Sequence, residues 1–364
     1  MKIGILTHHY VKNFGAGMQA EGLLKTIREQ FPDADVQIID YKVKKHLLHE
    51  TIHYFGYKPG RGDSFAGYIE KMKLFFTQKS CEDALPHTRR VYSGKDIDAL
   101  GLDLVIVGSD EVWNYQDRAF SGIKFGHGFN TPVISYAASV GGSTDEENIS
   151  EEIISGLKRF DAISVRDDVT EKFVKNVAGI DAVRVLDPVF LYDYHLKFGK
   201  KIRDVIKEKP YILIYDCKLM PSQIDIITEY AKEKNLNIIG AGEYRKYYDS
   251  LSTVNITTLE WAALFKHARY VITGTFHGTS FSIKYNRKFV SFVTEINRVN
   301  KVSSLLKTFG LEDKMVTKTE ETNLIDVMRQ KIDYEKVNKI VEEKAVYSKK
   351  YLSEQIELHR GSVK

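Results

Sequence analysis

The sequence predicts an α/β protein of two Rossmann-like domains facing a cleft. Three observations lead there. Short apolar runs of strand length alternate with amphipathic helical stretches, the pattern of parallel sheets covered by helices. The alternation fades in the polar stretch Tyr192–Lys209, which ends at Pro210, and then restarts with the same rhythm. The chain has 364 residues, more than a single core comfortably holds. The expected division is an N-terminal domain over 1–190, a C-terminal domain over 191–330, and a charged helical tail over 331–364 that has the length to cross back to the first domain.

Along the chain, Lys2 to Thr7 reads as a buried strand, followed by a loop and a helix over 17–30. Val36 to Tyr41 is a second strand. Residues 42–95 break the rhythm; rich in Lys, His, Tyr and Phe and containing Gly-Tyr-Lys-Pro-Gly-Arg-Gly-Asp, they predict a helical or loop excursion. The Arg61-Gly62-Asp63 tripeptide within it is read as chance. Strands follow at 104–107, 133–138, 162–165 and 183–186, with a helix at 146–158. Beyond the linker, strands are expected at 211–215, 237–239, 270–273 and 289–293. The intervening helices are at 221–234, 258–267, from His277, and at 299–308, with helix again from 322 to 357.

Composition narrows the function classes. A net charge of +4 is too mild to indicate nucleic acid, though it allows a local anion site. The two cysteines, Cys81 and Cys217, are isolated, so neither a disulfide framework nor a metal-ligand spacing is present. The opening Met-Lys-Ile-Gly-Ile-Leu-Thr is too short for a signal peptide, and no apolar run reaches transmembrane length. The expectation is a cytoplasmic protein without metal or cofactor. The Lys42–Lys45 cluster is a solvated face that leaves open a peripheral contact with anionic lipids at the inner face of the membrane.

Open α/β sheets bind ligands beyond the carboxyl ends of their strands. Here those ends carry His8 and His9, Ser109 and Asp110, Arg166, Asp187, and Thr275 with His277. In Tyr270-Val-Ile-Thr-Gly-Thr-Phe-His-Gly-Thr-Ser, His277 opens a helix whose free N–H groups attract anions; Gly278 admits a ligand closely, and Thr279 and Ser280 add hydroxyls. His277 either moves a proton there or caps the helix. In Leu104-Val-Ile-Val-Gly-Ser-Asp-Glu-Val-Trp-Asn, Ser109 and Asp110 enter a tight turn, with Trp113 and Asn114 able to stack on and hydrogen-bond a sugar. Asp110 is a base or a helix cap. Arg166 suits a carboxylate or phosphate, or else pairs with Asp167 or Asp168. Asn13-Phe-Gly-Ala-Gly-Met-Gln-Ala formally contains G-x-G-x-x-A, with Asp40 at the ribose-binding distance. The long loop from Thr7 to Gly15 argues against a dinucleotide, which needs glycine directly after the strand. What remains is a glycine-rich loop, with Asn13 and Gly15, offering backbone amides to a substrate.

Taken together, Asn13-Phe-Gly-Ala-Gly-Met-Gln-Ala, Val107-Gly-Ser-Asp-Glu-Val-Trp-Asn, Ser164-Val-Arg-Asp, Leu186-Asp-Pro and Val271-Ile-Thr-Gly-Thr-Phe-His-Gly-Thr-Ser-Phe-Ser make the chain resemble the polysaccharide pyruvyl transferase family over roughly residues 3–310. The resemblance implies a GT-B-like fold and transfer of pyruvyl from phosphoenolpyruvate onto hydroxyls of a cell-surface polysaccharide precursor, as a ketal. The acceptor would be a sugar or a lipid-linked oligosaccharide. By position, the resemblance places Arg166 and His277 at the donor site. Many family members have an arginine two residues before the histidine; this chain has Thr275, and Arg298 is a basic group that could take its place.

On this reading Arg166 and the helix start from His277 to Ser280 hold the two anionic groups of the donor. His277 is the general acid and Asp110 the base, with Arg166 and His277 expected across one gap. The competing readings are a GT-B-like glycosyltransferase using a nucleotide sugar, and a non-catalytic carbohydrate-binding subunit.

Overall fold

The computed structural model describes all residues except 56–63, 144–148, 318–322 and 361–364. The Arg61-Gly62-Asp63 tripeptide and the expected start of the helix at 146 lie outside the described residues. The chain forms two compact units. Unit 1 comprises Met1–Glu50, Glu82–Asp193 and Ile340–Lys364; unit 2 comprises Thr51–Cys81 and Tyr194–Lys339.

The sheet of unit 1 is parallel, in the order β2-β1-β3-β4, from Asp35–Ile38, Lys2–Leu6, Leu104–Val107 and Val133–Ser135. β5 (Ser164–Val165) and β6 (Val183–Arg184) continue it through isolated bridges such as Ala138 to Val165. The central strands are apolar without alternation because both faces are covered. Ile3 and Ile5 of β1 stand beside Val36 and Ile38 on one side and Leu104 and Ile106 on the other. The strand expected at 133–138 stops at Ser135, where Ala137 turns into the left-handed region with φ 51°.

Helix α1 (Phe14–Gln30) begins three residues earlier than periodicity suggests, because the Asn13 side chain accepts the Ala16 N–H as its cap. The excursion forms α2 (Lys44–Phe55) and α3 (Phe65–Asp83), followed by the short α4 (Gly94–Asp98), and Thr51–Cys81 packs with unit 2 instead of remaining in the N-terminal domain. Helices α5 (Glu151–Leu157) and α6 (Asp168–Ala178) complete the cover of unit 1.

Unit 2 repeats the plan. Its parallel sheet runs β11-β10-β9-β7-β8, from Met315–Thr317, Lys288–Val293, Tyr270–Thr273, Tyr211–Tyr215 and Asn237–Gly240. β11 carried no clear signal in the sequence; it is three residues long at the sheet edge. The expected linker is in part helix: α7 (Lys200–Glu208) buries Ile202 and Val205 while its other positions are charged, a composition that reads as polar when averaged. Helices α8 (Pro221–Glu233), α9 (Thr258–His267), α10 (Phe276–Lys284), α11 (Ile296–Phe309) and α12 (Leu324–Arg329) surround the sheet, with Trp261, Phe265 and Phe281 fully buried among them.

The tail is one helix, α13 (Tyr334–Arg360), whose residues from Ile340 onward belong to unit 1. There Leu352 and Ile356 are fully buried, and Ser348 Oγ accepts the Leu186 N–H at 2.9 Å. Ser348→Ala leaves that buried amide unsatisfied and is expected to lower stability by about 1–3 kcal/mol. An unchanged urea-unfolding midpoint would refute this account of how α13 is fastened.

Candidate functional site

Both sheets have a topological switch point, where the strand order reverses and a crevice opens beyond the carboxyl ends. In unit 1 it lies between β1 and β3; in unit 2 it lies between β7 and β9.

In unit 1, β3 ends in Gly108-Ser109-Asp110. A Cβ on Gly108 would lie 2.1 Å from the Tyr136 carbonyl oxygen, so only glycine fits, and Asp110 adopts φ 79°. A non-glycine residue held in this region stores strain, and such residues cluster at functional sites. The turn aims Asp110 at Arg166, which leaves β5. Arg166 Nη2 is 3.1 Å from Asp110 Oδ1, and Nη1 is 2.9 Å from Asp187 Oδ2. Ser109 Oγ donates to the same Asp187 oxygen at 3.0 Å. The Arg166 side chain is 1% exposed, Asp187 0% and Asp110 15%. Burial opposes the arginine's charge, but Asp110 and Asp187 outweigh it and raise its pKa above the ordinary value.

Of the two acidic neighbours in sequence, Asp167 is taken up by its own helix. Asp167 caps α6, accepting the Thr170 N–H at 2.8 Å and Thr170 Oγ1 at 2.6 Å. Arg166 is therefore already matched by two carboxylates, which corrects the expectation of a cation waiting for an anion. Asn114 bonds Glu111 and Ser143 at the edge of the same region. Trp113 is a correction too: fully buried, it stacks on Phe125 and donates Nε1–H to the Lys124 carbonyl, so its ring fills the core and offers no face to a sugar. Asn13 is spent as the cap of α1, and Gly15 is buried inside the first turn of that helix, not in an open loop.

In unit 2, the N-cap of α10 is Thr275, with His277 as the second helical residue. Thr275 Oγ1 accepts the Gly278 N–H at 2.9 Å, which occupies one of the amides expected to meet an anion. A Cβ on Gly278 would lie 2.0 Å from Thr273 Oγ1, so this glycine lets α10 sit against its own strand. The hydroxyls of Thr279 and Ser280 donate back to the carbonyls of Thr275 and Phe276, and both residues are fully buried. The expectation that these three residues contact a donor is corrected accordingly. His277 is 7% exposed, its ring set edge-on to Phe276.

Arg298 reaches across the carboxyl ends of three strands. Nη1 is 2.9 Å from Asp216 Oδ2, just after β7; Nε is 2.8 Å from Glu295 Oε2, after β10; and the Gly274 carbonyl, after β9, lies 3.4 Å from Nη1. Burial works against this charge, but Asp216 and Glu295 raise its pKa. Lys218 pairs with Glu295 at the rim. After β8, Glu243 accepts the Asp216 N–H and the Tyr248 hydroxyl, and burial pushes its carboxyl up to about 7 against the pull of Arg245. Cys217 is buried with its thiol pKa raised by that burial, which makes it a poor nucleophile.

Residues 13–295 match the family described as Polysaccharide pyruvyl transferase. The chain belongs to this family. No curated protein matches it in sequence. Among solved structures it is similar to S. aureus MnaA determined with UDP, at 11% identity and a TM-score of 0.55, over 100% of this chain and 97% of that one. It is also similar to the UDP-GlcNAc 2-epimerase of Neisseria meningitidis bound to UDP-GlcNAc, at 12% identity and a TM-score of 0.53, over 98% and 99%. At such identities the likeness is one of fold, and that fold is GT-B.

Thr275 is the cap of this turn, and the Arg298 guanidinium contacts Gly274 one residue before it. Three polar residues of the two sites escaped the sequence reading: Lys124, Asp216 and Glu243. The last two directly follow, or nearly follow, recognisable strands and could have been found by reading every strand end. Lys124 had no signal. No helix among the described residues is long and apolar enough to cross a membrane, and no metal-holding group of His, Cys, Asp or Glu is found among them.

Two outcomes are expected. Arg166→Ala strands the fully buried Asp187 and should cost about 3–5 kcal/mol in chemical denaturation; a fold of unchanged stability would show that the triad is not a structural tie. Glu243 holds its proton more tightly folded than unfolded, so wild-type stability falls as pH rises between about 4.5 and 7. Glu243→Gln should gain on wild type through that window, by on the order of 1–3 kcal/mol, then keep a constant advantage. Parallel stability–pH curves for the two proteins would exclude the raised carboxyl.

Proposed function

We propose that this protein transfers pyruvyl from phosphoenolpyruvate onto two hydroxyls of a sugar in a cell-surface polysaccharide precursor, forming a ketal. The observation that carries the reading is the family match over residues 13–295. The charged switch points of the two sheets support it, since a three-carbon donor bearing a carboxylate and a phosphate needs cations and oriented N–H groups. Transfer begins with protonation of the methylene carbon of the enol and attack of one sugar hydroxyl on the neighbouring carbon. The second hydroxyl displaces phosphate from that carbon, and both hydroxyl protons leave to a base. One donor and one diol thus give one ketal and one phosphate.

His277 is the proposed acid. In unit 2 the group suited to a donor anion is Arg298, whose side chain is 24% exposed and whose two carboxylate partners sit at the rim. Arg166 serves the reaction by holding Asp110 in its strained turn. An acceptor carried on a lipid would bring the protein to the inner face of the membrane.

The decisive experiment incubates the protein with phosphoenolpyruvate and a panel of lipid-linked and nitrophenyl sugars, and looks by mass for the pyruvyl ketal with matching phosphate release. His277→Gln should lower turnover by roughly 10²–10⁴-fold with the fold intact; near-normal turnover would remove His277 from the mechanism. Thermal stabilisation by nucleotide sugars but not by phosphoenolpyruvate would replace the reading with glycosyl transfer.

A further inference from the structure

Lys124 is fully buried in unit 1, inside the 3₁₀ turn Gly122–Phe125. Lysines are almost never fully buried unless paired with an acid. Among the described residues no carboxylate lies within 4.0 Å of this one. Its Nζ instead meets His8 Nε2 at 2.6 Å and the Ala119 carbonyl at 3.0 Å. His8 follows the end of β1, on the β1 side of the switch point between β1 and β3, where a doubly wound sheet binds its ligand. It is 8% exposed, and its second ring nitrogen, Nδ1, makes no hydrogen bond among the described residues and is not sealed from solvent.

We propose that His8 and Lys124 are a proton relay that takes the proton from the acceptor hydroxyl, with His8 Nδ1 as the receiving atom and Lys124 Nζ as the store. This rests on the proposed pyruvyl transfer. In the resting state the lysine is a neutral amine and its lone pair accepts the His8 Nε2–H. When the hydroxyl gives its proton to Nδ1, the Nε2 proton passes to Nζ. The histidine returns to neutrality in its other tautomer and the charge rests as a buried ammonium facing the Ala119 carbonyl. The alkoxide's electron pair forms the new bond to the donor carbon. Asp110 is already engaged by Arg166 Nη2 at 3.1 Å, whereas His8 Nδ1 has no hydrogen-bond partner among the described residues.

The surroundings suit this assignment. Burial brings Lys124 down to about 7, with Asp117 and Asp110 opposing it only in part. Burial also keeps His8 neutral, its pKa well below the ordinary value, and Lys124, His46 and His9 add to this; Glu111 alone acts the other way. His9 is itself engaged elsewhere, with Asp40 at 3.4 Å, and His46 faces Glu50.

The test begins on the wild-type protein. Nitrogen-15 NMR of the His8 ring at pH 8 should show the Nε2–H tautomer with Nδ1 unprotonated; an Nδ1–H tautomer there overturns the proposal. In Lys124→Met the His8 midpoint should rise by about 1 pH unit as the like charge is removed; an unmoved midpoint overturns the coupling. With an acceptor in hand, His8→Gln should lose about 10²-fold in kcat, and Lys124→Met should lose the rise in kcat that wild type shows through pH 7. Full turnover in His8→Gln overturns the relay and leaves pyruvyl transfer standing. If no acceptor is ever pyruvylated, the transfer reading fails while the NMR still reports the pair.

Discussion

Arg166 is a full charge at a depth where water scarcely reaches, and it is tolerable there only because Asp187 and Asp110 bracket it. A buried ion pair adds little net stability over an apolar core, since desolvation consumes most of the attraction. What it does is fix geometry. The three residues come from the carboxyl ends of β3, β5 and β6, and Ser109 ties the same Asp187 oxygen to the β3 turn. Asp110, at φ 79°, has its carboxylate held by the guanidinium and its carbonyl by the Ser139 N–H. Besides the arginine, the turn is held by that Ser139 N–H and by the Thr7 hydroxyl donating to the Ser109 carbonyl.

Unit 2 uses the same device nearer the surface. Arg298 joins Asp216 after β7 to Glu295 after β10, with the Gly274 carbonyl between them. Because its side chain is partly exposed, its carboxylate partners are solvated and a ligand anion can compete with them at smaller cost than at Arg166. The two arginines thus differ in depth: Arg166 is sealed between two carboxylates, while Arg298 is 24% exposed.

The Rossmann-like rhythm, the GT-B class and the family were all legible in the sequence. Each rests on local information: apolar runs of strand length, glycine at Gly108 where no Cβ fits, and motif pieces such as Val107-Gly-Ser-Asp-Glu-Val-Trp-Asn occurring in order. The strand ends His8, Asp110, Arg166 and Asp187 were legible as positions for the same reason, because a buried strand must end where polar residues begin.

The partners of those residues were not legible, and tertiary structure alone decided them. Trp113 could stack on a sugar or fill a core, and only the packing of Phe125 against it selects the core. Thr279 and Ser280 carry hydroxyls suited to a ligand, yet in a buried helix they bond the preceding turn. Arg166 has acidic neighbours at 167 and 168 but pairs with residues 56 and 21 positions away. Lys124 gives no sign in sequence that it meets His8, 116 residues earlier. Charge and hydrogen-bonding capacity are written in a residue's identity; what satisfies them depends on which strands become neighbours, and that order is set by the sheet.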